Sequence, residues 1–313
     1  MILFNITMLI TFSIILDDIV FPDGATRMGV LGGGGPQTAF GMRLWADSVG
    51  IVAGVGDDFP PEAEAWFAQS DIDMQGVRRV TGTMTPRAWQ VLEEDGRRTQ
   101  VWRVPDAVID QHLRKRIEDI PGVYRAAAGF HLGLHPLEPD LDFIHKLSAL
   151  GGAISLEPFK PAERLPEPQA LSELLAAAHI FTPNTEEAVS LVGRGEPLEL
   201  VRRLIHAGAR VVALRMGAAG SLAASVAAGR AFHIPAAPAR VVDPVGAGNA
   251  YCGGFLAGWV ETGDIRQAAL YGSVSASFLV EQVGAPVCTG KVREEALRRR
   301  RYIAERVLDA GSL

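Results

Sequence analysis

The stretch from Val241 to Phe255 reads Val-Val-Asp-Pro-Val-Gly-Ala-Gly-Asn-Ala-Tyr-Cys-Gly-Gly-Phe, and it constrains the fold more than any other. It has the pattern of a strand edge, a glycine turn and a helix start. Gly246 and Gly248 open backbone dihedrals closed to residues with a Cβ, so successive N–H groups can converge on one point. The apolar run Ala250–Val260 then suits a buried helix whose positive dipole end faces that turn. Together these features predict an anion hole. A tight strand-to-helix connection is the plainer reading of the same glycines.

The rest of the chain supplies the sheet such a turn needs. Val49–Asp58, Gly129–Gly133, Ala153–Pro158, His179–Phe181 and Val211–Arg215 read as short apolar strands, most followed by helical patterns at Phe59–Gln69, Leu141–Leu150 and Leu171–Ala178. Alternation of this kind implies an α/β fold with a mostly parallel sheet. Ligands bind beyond the carboxyl ends of such strands, which makes His131 and Glu157 pocket candidates; a hydrogen-bonded core histidine is the plainer reading. Met1–Ile15 is apolar but interrupted by Asn5, Thr7, Thr11 and Ser13, and reads as a buried first strand rather than a signal or membrane anchor. Arg87–Trp102 breaks the pattern, with two strand-like runs about Asp95-Gly96 that predict an antiparallel hairpin.

Several function classes drop out. A net charge of −6, with only one basic run at Arg298–Arg301, provides no nucleic-acid footprint. Two cysteines, Cys252 and Cys288, are too few for a disulfide framework and imply a reducing, cytoplasmic compartment. No Walker sequence and no Gly-x-Gly-x-x-Gly dinucleotide fingerprint occurs.

The order Asp243-Pro-Val-Gly246-Ala247-Gly248-Asn249 before a helix resembles the signature of the PfkB/ribokinase family of small-molecule kinases. The resemblance covers about residues 14 to 290 and is specific at 243–254 and at Asn184–Glu187. It implies a ribokinase-like three-layer α/β/α sandwich over residues 1–313, with a mostly parallel central sheet. It also implies a small β lid, from segments about 17–31 and 83–104, that covers the substrate and can form a homodimer contact; Trp89 and Trp102 would suit such a contact.

By the same resemblance, Gly246, Ala247 and Gly248 stabilise the transferred phosphoryl group, with Asp243 and Asn249 completing the catalytic set. Asp17 or Asp18, Gly33, Gly34 and Thr38 line the pocket for a sugar or nucleoside, although the family has Asn near the place of Thr38. Gly217 and Gly220 lie beside ATP. Asn184 and Glu187 match the Asn-x-x-Glu motif, with Glu187 acting on Mg²⁺ through water; helix capping by Thr182 or Asn184 explains that stretch equally well locally.

One position departs from the signature. Asn249 stands where the family has its catalytic Asp, and an amide accepts no proton at neutral pH. The loss should be about 10²–10⁴-fold if nothing substitutes. Three readings follow: a kinase whose proton goes to another carboxylate, such as Asp243 or Glu187, or to solvent; a pseudokinase that binds nucleotide or metabolite in a regulatory role; or an ordinary kinase inactivated by engineering. The Gly32–Gly35 run with Pro36-Gln37-Thr38-Ala39 is similar to a divergent fungal subgroup of the family, which favours a natural Asn249.

Overall fold

The computed structural model describes residues 8–94 and 98–313. Residues 1–7 of the first apolar run and the Asp95-Gly96 turn of the hairpin lie outside the described residues. A ten-stranded sheet forms the body, and a separate four-stranded sheet stands beside it. In the large sheet the strand Met8–Phe12 is central, paired in parallel with Ser48–Val55 on one side and Gly129–Leu134 on the other. Parallel pairing continues outward to Asp73–Arg79 at one edge and through Ala153–Pro158 and Ile180–Phe181 to Val211–Arg215. Ser221–Ser225, Arg230–Ile234 and Leu308–Ser312 then close the other edge antiparallel.

Helices cover both faces, which is why the inner strands are apolar on both sides. Along Met8–Phe12, Leu9 enters one core and Ile10 the other. The first core holds the helices Gly35–Arg43, Ala247–Thr262 and Ile265–Leu279, and the second holds Leu141–Ser148, Pro168–Ala176 and Pro197–His206. In the first layer the helices approach backbone to backbone. A Cβ at Gly41 would overlap Ala250 O, one at Gly253 would overlap Thr38 O, and one at Gly254 would overlap Ser275 Oγ. Among the described residues no helix is long and apolar enough to cross a membrane.

The smaller sheet is ordered Thr26–Gly32, Ile15–Val20, Arg87–Leu92, Arg98–Trp102, with a parallel central pair and antiparallel flanks. Three local readings of the sequence change here. The first apolar run is not one strand to Ile15: Ser13, at φ 76, breaks it, and Ile15 begins the second sheet. The segment Leu16–Gly24, which reads in sequence as a strand end and turn, holds most of a full strand, Ile15–Val20, and then the turn. Val241–Asp243 is no strand edge. It is a loop in which Val242 N and Asp243 N both donate to Val280 O, at 2.6 and 3.2 Å, because no strand lies alongside to pair with it. The tryptophans of the smaller sheet are only partly exposed; the Arg103 guanidinium lies 4.6 Å from the Trp89 ring centre and covers it.

Candidate active site

Gly246 adopts φ 81 and is the N-cap of the Ala247–Thr262 helix, which no side chain caps. Ala247 N turns back to Pro244 O at 3.3 Å, and Asp243 Oδ1 accepts from Val245 N at 2.9 Å, so the turn is held from within. Asp243 is buried; burial pushes its carboxyl up, and the Val245 N–H offsets this in part. Its Oδ2 has no hydrogen-bond partner among the described residues. The N-terminal end of the helix thus keeps N–H groups and dipole available to an anion.

Directly on this turn stands a polar cluster that joins distant parts of the chain. Asn249 Nδ2 donates to Glu157 Oε1 at 2.5 Å. Cys252, three residues further along the helix, donates its thiol to Glu157 Oε2 at 3.1 Å. His131 Nε2 lies 3.3 Å from Glu157 Oε1, and Arg215 Nη2 lies 3.4 Å from Oε2. Glu157 is 4 % exposed. Burial alone would push its carboxyl up, but the close His131 ring, the Arg215 charge and the Cys252 thiol outweigh it and hold it at about 2. His131, Glu157 and Cys252 place ligand-type atoms within 4.8 Å of one another, a grouping that resembles a metal site. The Arg215 guanidinium already provides a cation at that carboxylate, while His131 Nε2 has no hydrogen-bond partner among the described residues.

Arg215 reaches the turn as well. Its Nη2 meets Glu187 Oε2 at 3.1 Å, its Nε donates to Thr182 O at 3.0 Å, and its Nη1 lies against Gly248 so closely that a Cβ there would overlap it. A partly buried cation therefore faces the same glycine turn as the helix dipole. The sequence reading missed Arg215, although a charged residue at the carboxyl end of a parallel strand is the available signal.

Glu187 completes a capping box: Asn184 Oδ1 accepts from Glu187 N at 2.8 Å while Glu187 Oε2 accepts from Asn184 N at 2.7 Å. Asn184, rather than Thr182, is the cap. Glu187 Oε1 accepts from Asn184 Nδ2 at 2.8 Å. Burial pushes the Glu187 carboxyl up to about 7 against the pull of Arg215, because Arg215 is shared with Glu157. Oε2 is thus doubly used, and Oε1 keeps one lone pair for a hard cation or for a water bound to it. Gly217 is exposed, at φ 59, with open space around it, whereas Gly220 is required by close packing: a Cβ there would overlap Ile234 O.

On the opposite side, Gly33 and Gly34 adopt φ 87 and 80, and Gly34 lies against Asn249: a Cβ on Gly34 would stand 2.9 Å from its Nδ2. Asp17 and Asp18 point to opposite faces of their strand. Asp17 lies against Gly32, beside Gly33 and Gly34, and accepts from Gln90 Nε2 at 2.8 Å. Asp18 is fully buried between Arg87, at 2.7 Å, and Arg103, and accepts from Gly29 N at 2.8 Å. Burial opposes its charge, but these donors win and its carboxyl lies below the usual range. Asp18 is an internal anchor of the smaller sheet, and Asp17 is the one brought towards the glycines. Thr38 is buried in the helix, against Gly253. Its neighbour Gln37 is the residue that meets the turn: a Cβ on Gly246 would stand 2.6 Å from Gln37 Cγ, and Gln37 Nε2 donates to Leu31 O at 3.2 Å. Gln37 Oε1 has no partner among the described residues.

The family model for pfkB family carbohydrate kinase matches residues 20–291. The chain belongs to this family. Among relatives of this pfkB-family chain, the cytidine kinase of Thermococcus kodakarensis is 28% identical over 274 residues, covering 86% of this chain and 94% of that protein. The uncharacterized protein C16C9.01c of Schizosaccharomyces pombe is 26% identical over 316 residues, covering 88% and 84%. The ribokinase of Arabidopsis thaliana, solved with ribose and ATP, superimposes with a TM-score of 0.71 at 18–20% identity in this range of structures, 20% for this one, over 94% of this chain and 98% of that one. The pfkB chain thus has the ribokinase-like α/β fold, with the glycine turn, Arg215 and Asn249 grouped at one end of the helix Ala247–Thr262.

Proposed function

We propose that the protein transfers the γ-phosphoryl group of ATP to a hydroxyl of a sugar, nucleoside or related small molecule. One observation carries the reading: Asn249 lies at the meeting point of the uncapped glycine turn and the glycines Gly33 and Gly34 that follow the smaller sheet. Phosphoryl transfer needs mainly positioning and charge stabilisation. The N–H groups at Gly246–Gly248, with Arg215 behind them, serve the developing phosphoryl charge. Asn249 accepts a hydrogen bond from the acceptor hydroxyl and orients it, while Asp17 and Gln37 offer acceptors to further hydroxyls. Gly217 leaves room for the nucleotide. Glu187 would hold Mg²⁺ through water, and the ion would supply positive charge to the phosphates when bound. Names of relatives support both acceptor classes, a nucleoside in one and a sugar in another.

Calorimetry with ATP, with and without Mg²⁺, followed by turnover against a panel of sugars and nucleosides, tests the reading. Binding with turnover is the expected result. Binding without turnover on any acceptor would assign the chain to the pseudokinases, and absence of nucleotide binding would overturn the reading altogether.

A further inference from the structure

We propose that Glu157 is the positioning carboxylate of this site: it holds the Asn249 amide by its nitrogen, so that Oδ1 faces the acceptor hydroxyl. The inference rests on the kinase reading above. An ionised carboxylate only accepts hydrogen bonds, so the side of the amide that meets Glu157 must be the NH₂ group. The Nδ2–Oε1 contact at 2.5 Å is therefore a rotational lock. Oδ1 has no hydrogen-bond partner among the described residues, and Asn249 is partly exposed while Glu157 is buried. Substrate can reach the amide oxygen but not the carboxylate, which acts through Asn249.

The charged and titratable groups around Glu157 come from four elements. His131 faces it from Gly129–Leu134, Arg215 from the end of Val211–Arg215, and Cys252 and Asn249 from the Ala247–Thr262 helix; Glu187, on the helix Thr185–Val192, shares Arg215. These partners keep the carboxylate charged and fixed. In the reaction, the acceptor O–H donates to Asn249 Oδ1, which aims an oxygen lone pair at the γ-phosphorus. The new O–P bond forms as the bond from that phosphorus to the ADP oxygen breaks. The hydroxyl proton passes to a non-bridging phosphoryl oxygen and then to water, so ATP and the alcohol give ADP, the phosphate ester and one proton.

Three variants test this: Glu157→Gln, Asn249→Asp and the double variant. Glu157→Gln frees the amide to rotate and should lower kcat about 10–10²-fold, since slight misplacement costs that much, with the ATP affinity unchanged by calorimetry. Asn249→Asp alone puts two carboxylates in contact, so they must share a proton. Its thermal stability should fall below wild type as pH rises from 5 to about 8, and its kcat–pH profile should shift to higher pH. The double variant should cancel both shifts and recover at least about tenfold of the kcat lost in Glu157→Gln, through the acidic base newly placed at 249. An unchanged kcat in Glu157→Gln, or a double variant as slow as the product of the two singles, would overturn the proposal. So would an Asn249→Asp variant whose stability–pH curve coincides with that of the wild type. If the wild type binds ATP but turns over no acceptor, the kinase reading fails. The stability curves then decide on the lock alone, coincident curves refuting it and diverging, double-cancelled curves upholding it.

Discussion

Gly248→Ala offers a sharp test of how Arg215 sits at the turn. Gly248 lies in the first turn of the helix at an ordinary negative φ, so alanine adds no backbone strain and gains up to about 1 kcal/mol in helix propensity. The added Cβ would overlap Arg215 Nη1. The guanidinium cannot yield freely, because Nη2 is held between Glu187 at 3.1 Å and Glu157 at 3.4 Å and Nε by Thr182 O at 3.0 Å. Weakening one or two hydrogen bonds to charged groups costs about 1.5–3 kcal/mol each. Set against the propensity gain, the net is a destabilisation of about 0.5–6 kcal/mol. In an Arg215→Ala background the obstruction is gone, and Gly248→Ala should become neutral or stabilising by up to about 1 kcal/mol. Urea unfolding of the wild type, both singles and the double variant gives the four stabilities of the cycle. An equal cost for Gly248→Ala in both backgrounds would refute the placement of Arg215.

Other expectations can be checked by the same unfolding assay. The depressed Glu157 carboxyl contributes stability that is present above about 4.5, its ordinary value, and lost as pH falls towards about 2. Glu187 has the opposite sign: its raised carboxyl contributes stability that is present below about 4.5 and lost as pH rises to about 7, so Glu187→Gln, which keeps the capping box, should flatten that decline. Asp18→Asn should destabilise by about 2–4 kcal/mol, with both arginines retaining some solvent contact, whereas Asp17→Asn should act mainly on the KM for the acceptor; equal loss of stability in the two would contradict the assignment of Asp18 as anchor. Gly220→Ala should unfold far more readily than Gly217→Ala, which meets open space and only the strain of its φ 59; comparable urea midpoints would count against the close packing of Gly220 on Ile234.

What was legible in the sequence had local causes. Gly246 before an apolar run announced the turn and its helix, although Gly248 lies inside the helix at ordinary dihedrals, and the apolar strands of the central sheet were visible because burial on both faces leaves little polar residue in them. Asp17 and Asp18 remained undivided, because the segment read as a strand end; once Ile15–Val20 is a full strand, alternation separates them. Thr38 packs against Gly253 while its neighbour Gln37 meets the turn, a division that follows from the helix beginning at Gly35 and that the glycine run alone does not reveal. The convergence of Glu157, Arg215 and Asn249 had no local signal. They lie on three elements brought together only by strand order, and the proton acceptors proposed from sequence, Asp243 and Glu187, are not the carboxylate that Asn249 touches.

The close approach of helices at Gly41, Gly253 and Gly254 bears on how a chain like this can change its substrate. Each of these positions excludes even a methyl group, so the helix that carries Asn249 has almost no mutational freedom on its inner side and cannot tilt to suit a new acceptor. Diversity has to be found in the four-stranded sheet, where Met28 and Val101 are exposed and surface substitutions cost little. A library randomised over that sheet should yield many folded members with altered acceptor preference, and one randomised over the glycine face of the helix should yield almost none.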